Sequence, residues 1–291
     1  MNKFFNPITG ICIFLLTLLG CLAHLMYGSV QMTKYHFICQ AYWMPDYLPV
    51  WMPKKNFFKS GEIIIEKNYS GVWKAWYPNG KKMASIHCVN GIKDGKFELW
   101  HENGNIFMEE NYVNGKKEGK FEGRLSNGFL LYRYFCVNDN FEGLNETWHK
   151  NGKIRSKYYC LNGKVVGLCE LWHNNEVKAS SRFFVNGLLN GKNETWHKNG
   201  KREYICNHVK GFKNNLEIWY NENENKISEI RWVKGVKQGE CKYWFSSGQL
   251  KSIEIYDNNK LISKEQWNED GSPDYKEFYD DNGKIRKKNK I

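Results

Sequence analysis

A chain of 291 residues with 43 Lys+Arg against 31 Asp+Glu carries a formal charge of +12. That excess attracts anionic lipid, nucleic acid or acidic protein without selecting among them. Aromatic residues make up 16% and charged residues 25%, with only 6 Pro, which excludes a low-complexity or compositionally disordered chain.

The first element is apolar. From Phe4 to Thr33 there is no Asp, Glu, Lys or Arg, and Lys3 stands just before this stretch. Its centre, Ile11 to Leu19, is apolar except for Thr17, and Leu22, Ala23, Leu25 and Met26 continue it. A signal peptide and an uncleaved helical anchor both fit this pattern. Leu18-Leu19-Gly20-Cys21 resembles a bacterial lipobox, which makes Cys21 a candidate for lipidation, although the middle of such a box usually carries a smaller or β-branched residue. His24 is the main polar feature pointing instead to a buried soluble helix. Residues 1–33 are therefore read as a signal peptide or membrane anchor, and 34–59, with Trp43-Met44-Pro45 and Trp51-Met52-Pro53, as a linker or cap.

Residues 60–291 form a repeat domain, with regular repeats over about 71–262. Gly80, Gly104, Gly128, Gly152, Gly200 and Gly248 fall in one column of period 24, with Glu176 and Glu224 in the gaps. A second column holds Gly91, Gly115, Asp139, Gly163, Gly187, Gly211, Gly235 and Asn259. A third holds Gly71, Gly95, Gly119, Gly143, Gly167, Gly191, Asn215 and Gly239. Gly, Asn and Asp are the residues that accept positive φ, so the columns mark turns. Asn-Gly in the first column, as at Asn79-Gly80, predicts a tight hairpin turn, and Asn-Gly-x-x-x-Gly in the second predicts a wider one. Ser60-Gly61 to Tyr69 reads as a partial leading repeat. Trp267, Gly271, Tyr279 and Asn282-Gly283 read as shortened closing ones.

Between the turns, alternation indicates strands. Phe97, Leu99 and His101 share one face, Lys96, Glu98 and Trp100 the other, and Leu130, Tyr132, Tyr134 and Cys136 align likewise. The expected fold is all-β: an elongated, twisted, open meander of antiparallel hairpins, preceded by an apolar helix.

Gly143-Leu-Asn-Glu-Thr-Trp148-His149-Lys-Asn-Gly152-Lys and Gly71-Val-Trp-Lys-Ala-Trp76-Tyr77-Pro-Asn-Gly80-Lys resemble the MORN-repeat variant, the bacterial-type form of that repeat. The resemblance covers about residues 60–285 and departs at Arg124, where Trp is usual, and at Trp219-Tyr220, which is shifted by one. It implies a non-catalytic scaffold or binding module. Some similar proteins are antitoxin-like, and others carry a lipid-kinase label borrowed from unrelated enzymes.

Four side-chain columns invite chemistry. His101, His149, His173 and His197 share theirs with Tyr77, Leu125, Asn221 and Phe245, so packing is the expected role. Neighbouring copies stand about 9.6 Å apart, too far to share a zinc ion. Cys88, Cys136 and Cys160 align with large apolar residues and read as buried, whereas Cys169, Cys206 and Cys241 share columns with Asn or Glu and read as partly exposed. No CxxC pair occurs. Glu98, Glu122, Glu146, Glu170 and Glu194 read as a solvated face with cross-strand Lys partners. Trp76, Trp100, Trp148, Trp172, Trp196 and Trp244 form an aromatic ladder and the candidate binding surface. No nucleophile elbow, phosphate loop or HExxH occurs, so no catalytic, cofactor or metal residue is assigned. The reading that follows is a membrane-tethered or exported scaffold with a protein partner, nucleic acid being disfavoured. A toxin-neutralising protein and a basic binder of anionic lipid are the alternatives.

Overall fold

Each repeat turns twice, and the two turns differ in kind. In the second column, Asn90-Gly91 (φ 50 and 77), Asn162-Gly163 (49 and 74) and Asn138-Asp139 (49 and 67) place both residues in the left-handed region. Two such residues make a type I′ connection, whose twist matches that of the flanking strands. Val89 and Ile92 pair directly across the first of these turns. In the first column only the glycine is left-handed, with Gly80 at φ 80. There the Gly80 amide donates to the Tyr77 carbonyl at 2.9 Å and the Tyr77 amide to the Lys81 carbonyl at 2.9 Å. This is a type I turn closed by one left-handed residue, the three-residue connection. The expected tight and wide turns are thus exchanged. The reason is local: Asn79 folds its Oδ1 onto the Lys81 amide at 3.0 Å and itself keeps ordinary backbone geometry.

The computed structural model describes residues 7–59 and 62–290; Lys3 and the Ser60-Gly61 start of the leading repeat lie outside them. The third glycine column falls inside strands, not in turns. Across Gly95 (φ 104) the partner of Ile86 is Phe97, while that of Cys88 is Lys93, so the strand Ile92–Trp100 bulges there. Two compact units contain the strands, Met1–Phe129 and Leu130–Ile291. The N-terminal unit runs from Gly71–Trp76 through Lys82–Val89, Ile92–Trp100 and Ile106–Val113 to Gly119–Arg124. In the C-terminal unit the meander begins at Leu130–Val137 and Asn140–Trp148 and ends at Pro273–Tyr279 and Ile285–Lys290. In both units sequence neighbours pair antiparallel, as the meander reading requires.

One face of the N-terminal sheet carries an apolar core of Trp73, Ala75, Ala84, Ile86, Cys88 and Phe97. The same register positions in the C-terminal unit hold buried polar groups, among them Asn145, Ser180, Asn193 and Glu217. Glu217 is 3% exposed and accepts from Lys213 Nζ at 2.5 Å, Trp232 Nε1 at 2.7 Å and Trp219 Nε1 at 3.3 Å. A buried carboxylate is tolerated when such donors replace its water.

Residues 7–59 begin with a helix, α1 (Pro7–Tyr27), which ends short of the boundary expected at residue 33. A second helix, α2 (Lys34–Ile38), continues as a π-helical turn (Cys39–Trp43) into a third, α3 (Met44–Tyr47). This segment caps the first strand. The Gln31 side chain donates to the Lys74 carbonyl at 2.9 Å and accepts from its amide at 2.7 Å, imitating a strand partner. Phe37 packs its ring 5.4 Å from Phe57 and 5.6 Å from Trp76. An edge that would otherwise recruit another strand is closed. The leading half-repeat is real as well. The Tyr69 carbonyl accepts from Gly91 N at 2.8 Å and Ser70 Oγ from Asn90 N at 2.9 Å, as the same positions do in later repeats.

Glu176 and Glu224, which replace first-column glycines, adopt φ 70 and 69 and so bear the strain that glycine avoids. A left-handed non-glycine residue costs about 1–2 kcal/mol, partly offset by the entropy that glycine loses on folding, about 0.5–1 kcal/mol. The exposed Lys153–Glu176 pair contributes little against this. Glu176→Gly with Glu224→Gly is expected to raise the unfolding free energy in urea by about 1 kcal/mol. A lower midpoint would contradict the strain.

Candidate functional site

The three-residue turns line one edge of the sheet, and their side chains form a hydrogen-bonded ladder. His149 Nε2 donates to the Trp172 carbonyl at 2.8 Å, His173 to Trp196 at 2.8 Å and His197 to Tyr220 at 3.1 Å. In the N-terminal unit Tyr77 Oη donates to the Trp100 carbonyl at 2.6 Å and His101 to Arg124 at 2.8 Å. Tyr42 of the cap supplies the same bond to Trp76 at 3.0 Å. Beside them Asn151 and Asn175 donate to the Asn174 and Lys198 carbonyls at 2.9 and 2.8 Å. Where the column carries His or Tyr it therefore does more than pack, its ring donating to the next strand end, whereas Leu125 and Phe245 fill the same position without a donor. Among the described residues no group of three His, Cys, Asp or Glu is placed to hold a metal.

The tryptophan column lies half-buried at the strand ends, where each ladder shifts register, as between Leu99 and Trp100 and between Thr195 and Trp196. Several of its rings are covered by cations. Lys82 Nζ stands 4.5 Å from the Trp100 ring centre, Lys178 5.9 Å from Trp196 and Lys226 5.7 Å from Trp244. Arg133 lies 5.6 Å from Trp148. These contacts tie one repeat to the next, since each lysine opens the strand that pairs antiparallel with the one its ring closes, as Lys82 does for Trp100.

Two expectations about the remaining columns need correction. The glutamates are less solvated than expected: their side chains are 18% exposed at Glu98, 8% at Glu122, 15% at Glu146, 22% at Glu170 and 13% at Glu194. They do have basic partners, Lys120 and Arg124 for Glu122 and Lys192 and Arg202 for Glu194. Flanking long side chains cover the carboxylates while the lysine heads stay in water. Cys206 and Cys241, expected to be partly exposed, are fully buried, and only Cys169 is intermediate. Burial pushes all three thiols up from their ordinary value. The column of Cys169 and Cys241 also buries Glu217, which has three donors, and Asn145 and Asn193, whose Oδ1 atoms have no hydrogen-bond partner among the described residues.

The N-terminal unit holds a cavity of about 480 Å³, lined by Ile86, Phe97, Leu99, Met108, Lys93 and Glu110 among others. Burial holds the Lys93 ammonium below its usual value, with Glu110 opposing that shift. Its Nζ sits 4.2 Å from the Phe97 ring centre and 4.8 Å from that of Tyr112.

The opposite edge carries a feature missed in the sequence. The residue before the type I′ turn is Val89 or Val113 in the N-terminal unit, and Val137, Leu161, Val185, Val209 or Val233 in the C-terminal one, the column ending at Asp257. Each of the apolar residues is between 43% and 50% exposed. Phe212, at 60%, extends this edge and lies under the next turn, where a Cβ on Gly235 would come within 2.9 Å of its ring. The signal was present as a period-24 column, but apolar residues beside a turn read as strand interior.

Hairpins that pass hydrogen bonds from repeat to repeat, with column chemistry spread along edges, define a β-repeat protein. The family described as MORN repeat variant matches three of its segments, residues 69–87, 93–114 and 237–258. No curated protein matches the chain. Crystal structures of TcdB2-TccC3-TEV and TcdB2-TccC3-Cdc42 are similar over 75% and 74% of this chain, at 11% and 13% identity, each with a TM-score of 0.18. The chain spans 15% and 14% of those two chains.

If the histidine ladder acts through its donor, His149→Phe should lower stability by about 1 kcal/mol, the usual worth of one such bond. His149→Tyr should remain near wild type, as Tyr77 already makes this contact. Equal losses for both variants in urea unfolding would reduce the column to packing.

Proposed function

We propose that the chain is a non-catalytic scaffold, held at a membrane by α1, whose repeats bind another protein. The observation that carries the tether is α1 itself. It is a 21-residue helix of mean hydropathy 2.2, and none of its apolar span is buried against the protein. At 1.5 Å per residue it is about 31 Å long, the thickness of a bilayer's hydrocarbon core. Ile11, Phe14, Leu16 and Leu19 are each more than half exposed, a cost that lipid removes.

The uncleaved anchor is favoured over lipidation at Cys21. Cys21 is an exposed position within the helix, and the helix end beyond it is built into the cap. Gln40, 2% exposed, donates to the carbonyls of Leu25 at 3.1 Å and Gly28 at 2.9 Å. The His24 ring sits edge-on to His36 at 5.0 Å. His24 thus belongs to the joint between anchor and cap.

Full-length protein is expected to stay with membranes through a high-salt wash, which screens attachment through the +12 charge alone. Leu15→Arg with Leu16→Arg should release it, and Cys21→Ala should change nothing. Wild-type protein in the soluble fraction at low salt would sink the tether.

The partner surface is assigned to the type I′ edge, because exposed apolar side chains repeated in register suit a protein better than a charged polymer. Val185→Asp with Val209→Asp should abolish capture of whatever co-purifies with the wild type from its membrane fraction, leaving the melting temperature within a few degrees. Unchanged capture would move the interface elsewhere.

A further inference from the structure

We infer that residues 43–55 of the cap make a second membrane contact, an interfacial foot lying in the headgroup layer where α1 ends. The inference rests on α1 spanning the bilayer. It deepens that reading by naming the lipid–water interface as the occupant of a surface the repeats do not use.

The segment is built unlike the rest of the cap. Phe37, Phe57 and Met44 turn inward and are buried. Tyr47, Val50 and Trp51 point outward with exposures of 73%, 96% and 80%, and Trp43 follows at 38%. Trp43 and Tyr47 lie together, with ring centres 6.1 Å apart. Nor is this a loose loop. Lys54 Nζ donates to the Leu48 carbonyl at 2.6 Å and the Pro45 carbonyl at 3.3 Å, so the chain around Tyr47 is stapled from behind. Three aromatic rings and a valine held outward on a fixed backbone need an apolar or amphipathic occupant.

The placement of α1 says which occupant. A cavity of about 130 Å³ is lined by Met26 and Tyr27 from the helix end, Met44 from the start of the segment, and Pro53, Lys54 and Lys55 from its close. The segment therefore wraps the last turn of α1. When Pro7–Tyr27 fills the hydrocarbon core, this turn and whatever surrounds it stand at the interface. Trp and Tyr concentrate at that depth because their rings are apolar with one polar tip. The charge agrees. From Gly28 to Lys59 the chain has Lys34, Lys54, Lys55 and Lys59 against Asp46 alone, a bias that suits anionic headgroups. A helix alone would let the repeats swing about its end, whereas a helix with a foot sets their tilt.

The test uses tryptophan as its own reporter, since α1 contains none and Trp43 and Trp51 are two of 12 in the chain. Full-length protein is reconstituted into vesicles of phosphatidylcholine and phosphatidylglycerol, with brominated phosphatidylcholine as the quencher. Flotation with the vesicles reports the anchor, and quenching reports the foot. The expected result is that wild type and Trp43→Phe/Trp51→Phe both float, and that quenching of the wild type, at most about a sixth of the emission, is lost in the variant. Flotation without quenching would overturn the foot and leave the anchor standing. Quenching that persists in the variant would overturn it too, placing repeat tryptophans at the lipid. Failure to float would remove the anchor and the foot together.

Discussion

A two-residue turn leaves two backbone amides at the tip of each hairpin, and in most repeats of this chain the preceding strand takes both. Gly115 N donates to the Lys93 carbonyl at 2.8 Å, and Asn114 N to Asp94 Oδ1 at 3.1 Å. The pattern returns at Gly163 with Phe141 and Asn162 with Glu142, and again at Gly235 with Lys213 and Lys234 with Asn214. Both turn residues must hold positive φ to present these amides together. Lys210 and Lys234 accept φ 49 and 50 where Asn is usual, so the geometry outweighs the residue preference. One inserted residue would misplace the carbonyl by a strand step and expose two orphan donors. A period of 24 that runs without a gap from residue 71 to 259 is the sequence record of that demand.

The same constraint gives the sheet two unlike edges. Type I′ tips are short and leave room only for side chains, so valine and leucine stand half out in the solvent there. The three-residue turns are polar and self-satisfied, with His and Asn side chains occupying the carbonyls of the next strand end. An edge whose groups are already bonded offers a partner little, and an edge of exposed valines offers it much. The N-terminal unit is packed around the Trp73 cluster beneath the cap, and the C-terminal unit contains the Glu217 network, where lysine and indole donors replace apolar packing.

Period and strand alternation made the fold legible in the sequence, and Gly, Asn and Asp columns marked where φ turns positive. Turn type was less legible. Asn79-Gly80 and Asn90-Gly91 look alike as dipeptides, yet the first asparagine bonds its side chain to Lys81 and the second takes φ 50. Column burial was misjudged for the same kind of reason. The residues that share columns with Glu122 and Cys241 indicate exposure, whereas exposure depends on what lies beside them on neighbouring strands. The cap was hardest to read. Nothing periodic announces that Gln31 pairs with Lys74 or that Tyr42 reaches the Trp76 carbonyl.

The sequence by itself determined the repeat, its register, the strand directions and an apolar N-terminal segment of membrane length. These are local or periodic properties, set by backbone preference and by hydrophobic alternation over a few residues. Only the tertiary structure decided which atoms meet across strands: the His149 donor with the Trp172 carbonyl, the Trp232 indole with Glu217, the lysines over the tryptophan rings. It also decided that α1 is bare while its end is clamped by Gln40, and that Tyr47, Val50 and Trp51 face outward beside it. Those contacts join residues far apart in the chain, and no local pattern encodes a distance that folding alone creates.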